Sequence, residues 1–116
     1  MDLSITPDGE GRYVISCAEE MEWDARLDIV TALEGVAGRT APVAVILDLD
    51  NVTYINSAGL GAIFSLRKHV QSSDGKLVLA RPSPTIRRLL ETVNVQALVP
   101  IADDLDEARK LTEKPA

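Results

Sequence analysis

The chain has 116 residues, 46% hydrophobic and 26% charged, with a formal net charge of −6 at pH 7, which allows one ordinary globular domain with one core. An acidic chain without a basic cluster is a poor nucleic-acid binder, and one cysteine, Cys17, excludes an internal disulfide or a cysteine-based zinc site. The single histidine, His69, leaves little for metal or acid–base chemistry; no stretch approaches a membrane span and no signal peptide opens the chain, so a cytoplasmic address without metal, cofactor or membrane partner is expected.

Leu3-Ser4-Ile5-Thr6 alternates apolar and polar residues, and Pro7 to Gly11 reads as a turn. Tyr13 to Cys17 is a second strand, which gives an opening hairpin. Cys17 has no basic neighbour in sequence to lower its pKa and reads as a small core residue. Asp24 is placed to cap a helix in which Leu27, Val30, Leu33 and Ala37 recur at helical spacing, with Gly38 as its stop. Arg39 to Pro42 links to the next strand.

Val43 to Leu47 is apolar on both parities, the pattern of a strand covered on both faces. A polar turn follows, and helical spacing begins near Ser57. Ser57 is expected to cap that helix through its hydroxyl. Ala58, Gly59 and Gly61 leave the helix end uncrowded, so a partner protein can reach the serine. At about 100° per residue, Gly59, Ile63, Leu66 and Val70 share one face, assigned to the sheet. Leu60 and Phe64 fall on its flank, on the same side as Ser57 and Lys68. They read either as an apolar pair beside a modifiable hydroxyl or as part of a wide core stripe. His69 lies away from the stripe, towards solvent.

Ser72 to Gly75 ends the helix, and Lys76 to Ala80 is a buried strand parallel to the previous one through a helical crossover. Ser83-Pro84 starts a helix, with Ser as N-cap and Pro at the first helical position. Its stripe is Ile86, Leu89, Leu90 and Val93. Arg81, Arg87 and Arg88 read as a solvated basic spot on a helix face. Leu98 to Ile101 is a short edge strand limited by Pro100. Asp104 and Glu107 fit a capping box for a last helix through Leu111, with a frayed tail from Thr112.

The central stretch resembles the signature of the STAS family, the anti-sigma factor antagonists of bacteria and related domains of sulfate transporters. That signature is an apolar strand ending in Asp, a short loop, and (Asp/Asn)-Ser-(Ser/Ala)-Gly-Leu-Gly. Here it reads Ile46-Leu47-Asp48-Leu49, then Val52 to Ile55, then Asn56-Ser57-Ala58-Gly59-Leu60-Gly61. The likeness in order and length of elements runs over nearly the whole chain. It implies an α/β fold, a single STAS-like domain over residues 1–116 (core about 3–111, then a tail), with a mixed central sheet of about four to five strands and helices packed on it. It also implies a non-enzymatic anti-sigma factor antagonist, monomeric alone and heterodimeric with its partner. That partner would be an anti-sigma factor with serine kinase activity. Ser57 matches the phosphorylated position, and Asn56, Ser57, Ala58, Gly59, Leu60, Gly61, Phe64 and Asp48 match the partner surface. Unmodified Ser57 would allow docking; phosphoserine, carrying roughly −1.5 to −2 charge near Asp48 and Asp50, would block it. The chain departs from the family at Ala18 to Glu22, where antagonists carry Gly-Glu-Leu-Asp, and at Asn56, where many carry Asp. Trp23 follows as a partner anchor or a lid on the first helix.

Two other readings stand beside this one. Asp48-Leu49-Asp50-Asn51-Val52 resembles the first motif of haloacid-dehalogenase-type phosphatases, which would make Asp48 a nucleophile, Asp50 a general acid/base, and Asp103 and Asp104 the later acidic pair beside Mg²⁺. The mid-chain position and the short loop after it weigh against that. The third reading keeps the fold as a docking or scaffolding module without modification of Ser57.

Overall fold

The strand Ala44–Asp48 (β4) holds five buried residues in a row, and the sheet is assembled around it. The computed structural model describes residues 3–8, 11–17, 20–21, 44–71 and 75–113. On one side β4 pairs in parallel with Arg12–Cys17 (β2), which itself pairs antiparallel with Leu3–Pro7 (β1). On the other side β4 pairs in parallel with Lys76–Ala80 (β6), and β6 with the short Ile101–Ala102 (β7). The result is the expected mixed sheet, five strands in the order β1-β2-β4-β6-β7. A second, two-stranded parallel pairing joins Glu20–Met21 (β3) to Tyr54–Ile55 (β5), which the alternation of residues did not reveal.

Because side chains alternate along a strand, β4 and β6 feed two separate cores. Val45, Leu47, Leu77 and Leu79 point to the larger one, which is closed by the helices Ser57–Gln71 (α1) and Pro84–Thr92 (α2) through Ala62, Ile63, Leu66, Val70, Ile86 and Leu90. Ile46, Val78 and Ala80 point to the opposite face, where the helix Leu105–Glu113 (α3) contributes Ala108, with Leu105 and Leu111 packed alongside. None of the helices among the described residues is long and apolar enough to cross a membrane.

Local sequence rules place two helix starts. The Ile86 N–H donates to the Ser83 hydroxyl (3.2 Å), with Pro84 opening α2. The Glu107 N–H donates to Asp104 Oδ1 (2.7 Å), and Glu107 Oε1 accepts in return from the Asp103 N–H (2.9 Å), one residue before the cap. The edge strand starts after Pro100 rather than at Leu98. Proline has no N–H to give the ladder, but its carbonyl accepts from the Leu79 N–H (2.9 Å). The helix expected over Asp24 to Gly38, the Ala18 to Trp23 departure and the Cys17 side chain lie outside the described residues, apart from the backbone of β3.

The helix α3 runs two residues past its expected end because Thr112 is not a free tail. Its side chain is buried, donating to the Arg109 carbonyl (2.6 Å) and accepting from Arg12 Nη1 (3.2 Å). The same region carries a three-residue ionic clasp. Asp8 Oδ2 accepts from Arg109 Nε (2.8 Å) and Arg12 Nε (3.1 Å), tying the opening hairpin to α3. The hydrogen bond from Arg109 holds the Asp8 carboxyl below the ordinary carboxylate range. Partial burial opposes this, and the charges of Arg109 and Arg12 reinforce it.

A group depressed in the folded state lends stability above its unfolded value of about 4 and loses it as pH falls through the folded value. Asp8→Asn is therefore expected to lower the urea midpoint at neutral pH. The gap to the unmodified protein should close on acidification below about pH 4. A pH series of urea unfolding curves measures both.

Candidate functional site

The parallel strands β4 and β6 end on the same edge of the sheet, and the segment from β4 to α1 leaves from that edge. It carries the serine. At the start of α1 the sequence offers two capping residues in succession, Asn56 and Ser57. The chain uses the first. Asn56 accepts twice, its carbonyl from the Leu60 N–H (3.0 Å) and its side-chain oxygen from the Gly59 N–H (2.8 Å). Asn56 is thus the N-cap, and Ser57 is the first residue inside the helix. This corrects the expectation that Ser57 caps α1. Ser57 and Ala58 are exposed. Among the described residues no hydrogen bond engages the Ser57 hydroxyl.

The first turn of α1 contains no acidic side chain, whereas that of α3 contains Asp106 and Glu107. The positive end of the α1 dipole, with its unpaired N–H groups, is therefore not offset by carboxylates of its own helix. An anion on the Ser57 oxygen would meet a favourable field there.

The remaining positions of the stretch divide by burial. Gly59 is buried, with Ala62, Ile63, Leu66 and Val70, as the helical spacing predicted for the sheet-facing side, and Ala62 widens that side. Leu60 and Phe64 are partly buried and pack against the larger core at its margin. Gly61 is exposed, and a Cβ built there would meet nothing within 4 Å. Tyr54, three residues before Ser57, is 50% exposed. His69 is half-buried rather than fully solvated.

Asp48 closes β4 and is only 5% exposed. A carboxylate so buried must be paired. Its partner is Arg81, whose Nη2 donates to Oδ2 (2.6 Å) and whose Nε donates to Oδ1 (3.1 Å). Oδ1 also accepts from the Asp50 N–H (3.1 Å). The hydrogen bonds that Arg81 donates to Asp48 raise the arginine pKa above its ordinary value. Burial opposes that, and the charges of Asp48 and Asp50 add to it. Arg81 was expected in a solvated basic spot, and the structure corrects this: Arg81 follows β6 rather than lying on a helix, and Arg87 is engaged by Asp103. The pair is set by strand register, which local sequence rules do not give. Asp48 and Ala80 are register partners, so the residue after Ala80 falls beside the end of β4.

That pairing bears on the phosphatase reading. Both Asp48 oxygens are occupied by donors, Asp103 is paired with Arg87, and Asp104 caps α3. Among the described residues no group of three or more His, Cys, Asp or Glu side chains is arranged to hold a metal. The geometry suits a structural carboxylate at position 48.

Comparison with known proteins adds the following. The family model described as STAS domain matches residues 10–108. A STAS-domain containing protein of Pseudomonas aeruginosa is 30% identical over 103 residues, covering 88% of this chain and 100% of that protein. The anti-sigma F factor antagonist of Paenibacillus polymyxa is 30% identical over 69 residues, covering 60% of this chain and 57% of that protein. Among solved structures, the Bacillus protein SpoIIAA has the same fold. Its unphosphorylated form gives a TM-score of 0.77 at 16% identity, covering 99% of this chain and 100% of that one. Its phosphorylated form gives 0.71, also at 16% identity, covering 95% and 99%.

The capping assignment separates two neighbouring residues. Asn56→Ala is expected to destabilise by about 1 kcal/mol, the usual worth of a cap side chain. Ser57→Ala should stay within about 0.5 kcal/mol of the unmodified protein, as an exposed substitution does. Urea unfolding of the two variants distinguishes them; a larger loss for Ser57→Ala than for Asn56→Ala would return the cap to Ser57.

Proposed function

The chain belongs to the STAS domain family, and from that premise we propose that it is an anti-sigma factor antagonist controlled at Ser57. Unmodified, it docks on an anti-sigma factor that is also a serine kinase, in the cytoplasm, as one partner of a heterodimer, and so frees a sigma factor for transcription. Phosphorylated on Ser57 by that kinase, it is released. The observation that carries this reading is the position of Ser57: exposed, at the first position of α1, with the capping task taken by Asn56.

Several features support it. One relative is named as the antagonist of an anti-sigma F factor, and SpoIIAA, of the same fold, is a protein with phosphorylated and unphosphorylated forms. A phosphate on Ser57 would gain about 0.3–1 kcal/mol from an exposed helix N-terminus. Modification would thus leave the fold standing and act on the partner, which would have to strip water from a dianion. The carboxylate of Asp48 contributes little repulsion, because Arg81 neutralises it. Ser57, Ala58 and Gly61 form the exposed part of the docking surface, Leu60 and Phe64 its half-buried margin, and Asn56, Gly59 and Asp48 its support.

Gly61 argues for close approach by a partner. Glycine inside a helix costs about 0.8–1 kcal/mol relative to alanine. Packing within the described residues does not call for it, since an added Cβ meets open space.

The decisive experiment is intact-protein mass spectrometry after incubation with ATP and the cognate anti-sigma factor kinase. One added phosphate is expected on the protein and none on Ser57→Ala. Binding without a mass change would make the chain a docking module with an unmodified serine. Gly61→Ala supplies an independent check. It is expected to raise stability by up to about 1 kcal/mol in urea unfolding. In a titration with the partner it should weaken binding.

A further inference from the structure

We infer that Arg81, a residue 24 positions away from Ser57 in sequence, is a positioning residue for it: its guanidinium fixes the loop from β4 to α1 that delivers the serine. The inference deepens the reading of Ser57 given above and rests on it.

Besides the β5–β3 pairing near its end and the Leu49 N–H donated to the Ala80 carbonyl (2.8 Å), the loop after β4 is held at three points near its start. Leu49 and Val52 are buried in the larger core, and the Val52 N–H donates to the Leu49 carbonyl (3.0 Å), forming a turn. The third point is polar. Asp48 Oδ1 accepts from the Asp50 N–H, and Arg81 grips the same carboxylate with two donors. The Arg81 Nη2 also stands 3.9 Å from Asp50 Oδ2. One guanidinium therefore sets the orientation of the Asp48 carboxylate and faces both acids that open the loop. A planar, two-donor fork fixes direction as well as distance, which a point charge does not.

The backbone of Arg81 adds a second, independent observation. Its φ is 56°, in the left-handed region that disfavours side chains other than glycine. Its N–H is nonetheless held by the Ala102 carbonyl (3.0 Å). That turn bends the chain away from β6 as the arginine side chain reaches back to the end of β4. Glycine would suit the turn better. An arginine kept at a conformation it disfavours points to a use for its guanidinium.

The test compares Arg81→Gly, Arg81→Lys and the unmodified protein by amide hydrogen exchange, with α2 as internal reference. If the fork sets the loop, Arg81→Gly should speed exchange at Asp50 and Val52 by about tenfold or more while α2 is unchanged. Arg81→Lys, with one charge and no fork, should fall between. With the kinase, Arg81→Gly should raise KM for Ser57 phosphorylation several-fold and leave kcat within about twofold. Exchange at Asp50 and Val52 unchanged or slower in Arg81→Gly would mean that the residue matters only to the turn, and overturns the inference. Equal acceleration in α2 would also overturn it, showing a general loss of stability. Should Arg81→Gly not fold, Arg81→Lys carries the same comparison. If the unmodified protein gains no phosphate, the reading of Ser57 falls, while exchange still decides whether Arg81 holds the loop.

Discussion

A strand with no solvent on either face must satisfy every main-chain polar group from its neighbours and end on something that can leave the interior. β4 meets the first demand by pairing with β2 and β6 over its whole length. It meets the second with a carboxylate. The buried position of Asp48 then requires a cation, and the cation has to come from an adjacent strand, because no residue next to it in sequence carries positive charge. Arg81, one residue beyond the register partner of Asp48, meets that requirement. The edge of the sheet from which the β4–α1 loop departs is thus organised by an ion pair whose components belong to parallel neighbours.

The division of labour between Asn56 and Ser57 follows from how a helix begins. Only one residue can occupy the half-in position whose side chain turns back to the third N–H. Asn56 takes it, and α1 continues with a hydroxyl that has no structural task of its own among the described residues. A residue free of such tasks can change its chemistry without changing the fold. That separation between a supporting residue and an unengaged one is what the switch proposed at Ser57 would require.

Most of the fold was legible because its rules are local. The alternation at Leu3 to Thr6, the apolar run into Leu47, the Ser83-Pro84 start and the Asp104/Glu107 box each sit within a few residues, and each took the predicted form. What escaped was non-local or nearly degenerate. β5 is two residues long and is held by another two-residue strand, too short for any periodicity. The Asp48–Arg81 pair spans 33 residues. Thr112 joins α3 because Arg12, a hundred residues earlier, meets it. Asn56 and Ser57 are both good caps, so composition alone does not choose between them; the hydrogen bonds at Gly59 and Leu60 assign the cap to Asn56.

The clasp around Asp8 also joins contacts of very different reach along the chain. Arg12, four residues on, is available to Asp8 as soon as the hairpin forms, but Arg109 lies 101 residues away. Closing the longer loop costs more chain entropy than closing the short one, and the part of the Ile46–Val78 face that α3 covers depends on that longer closure. One carboxylate oxygen thus serves a local and a distant guanidinium at once. The Asp8–Arg109 contact therefore works as a seam, fastening the first turn of the chain to the last described helix.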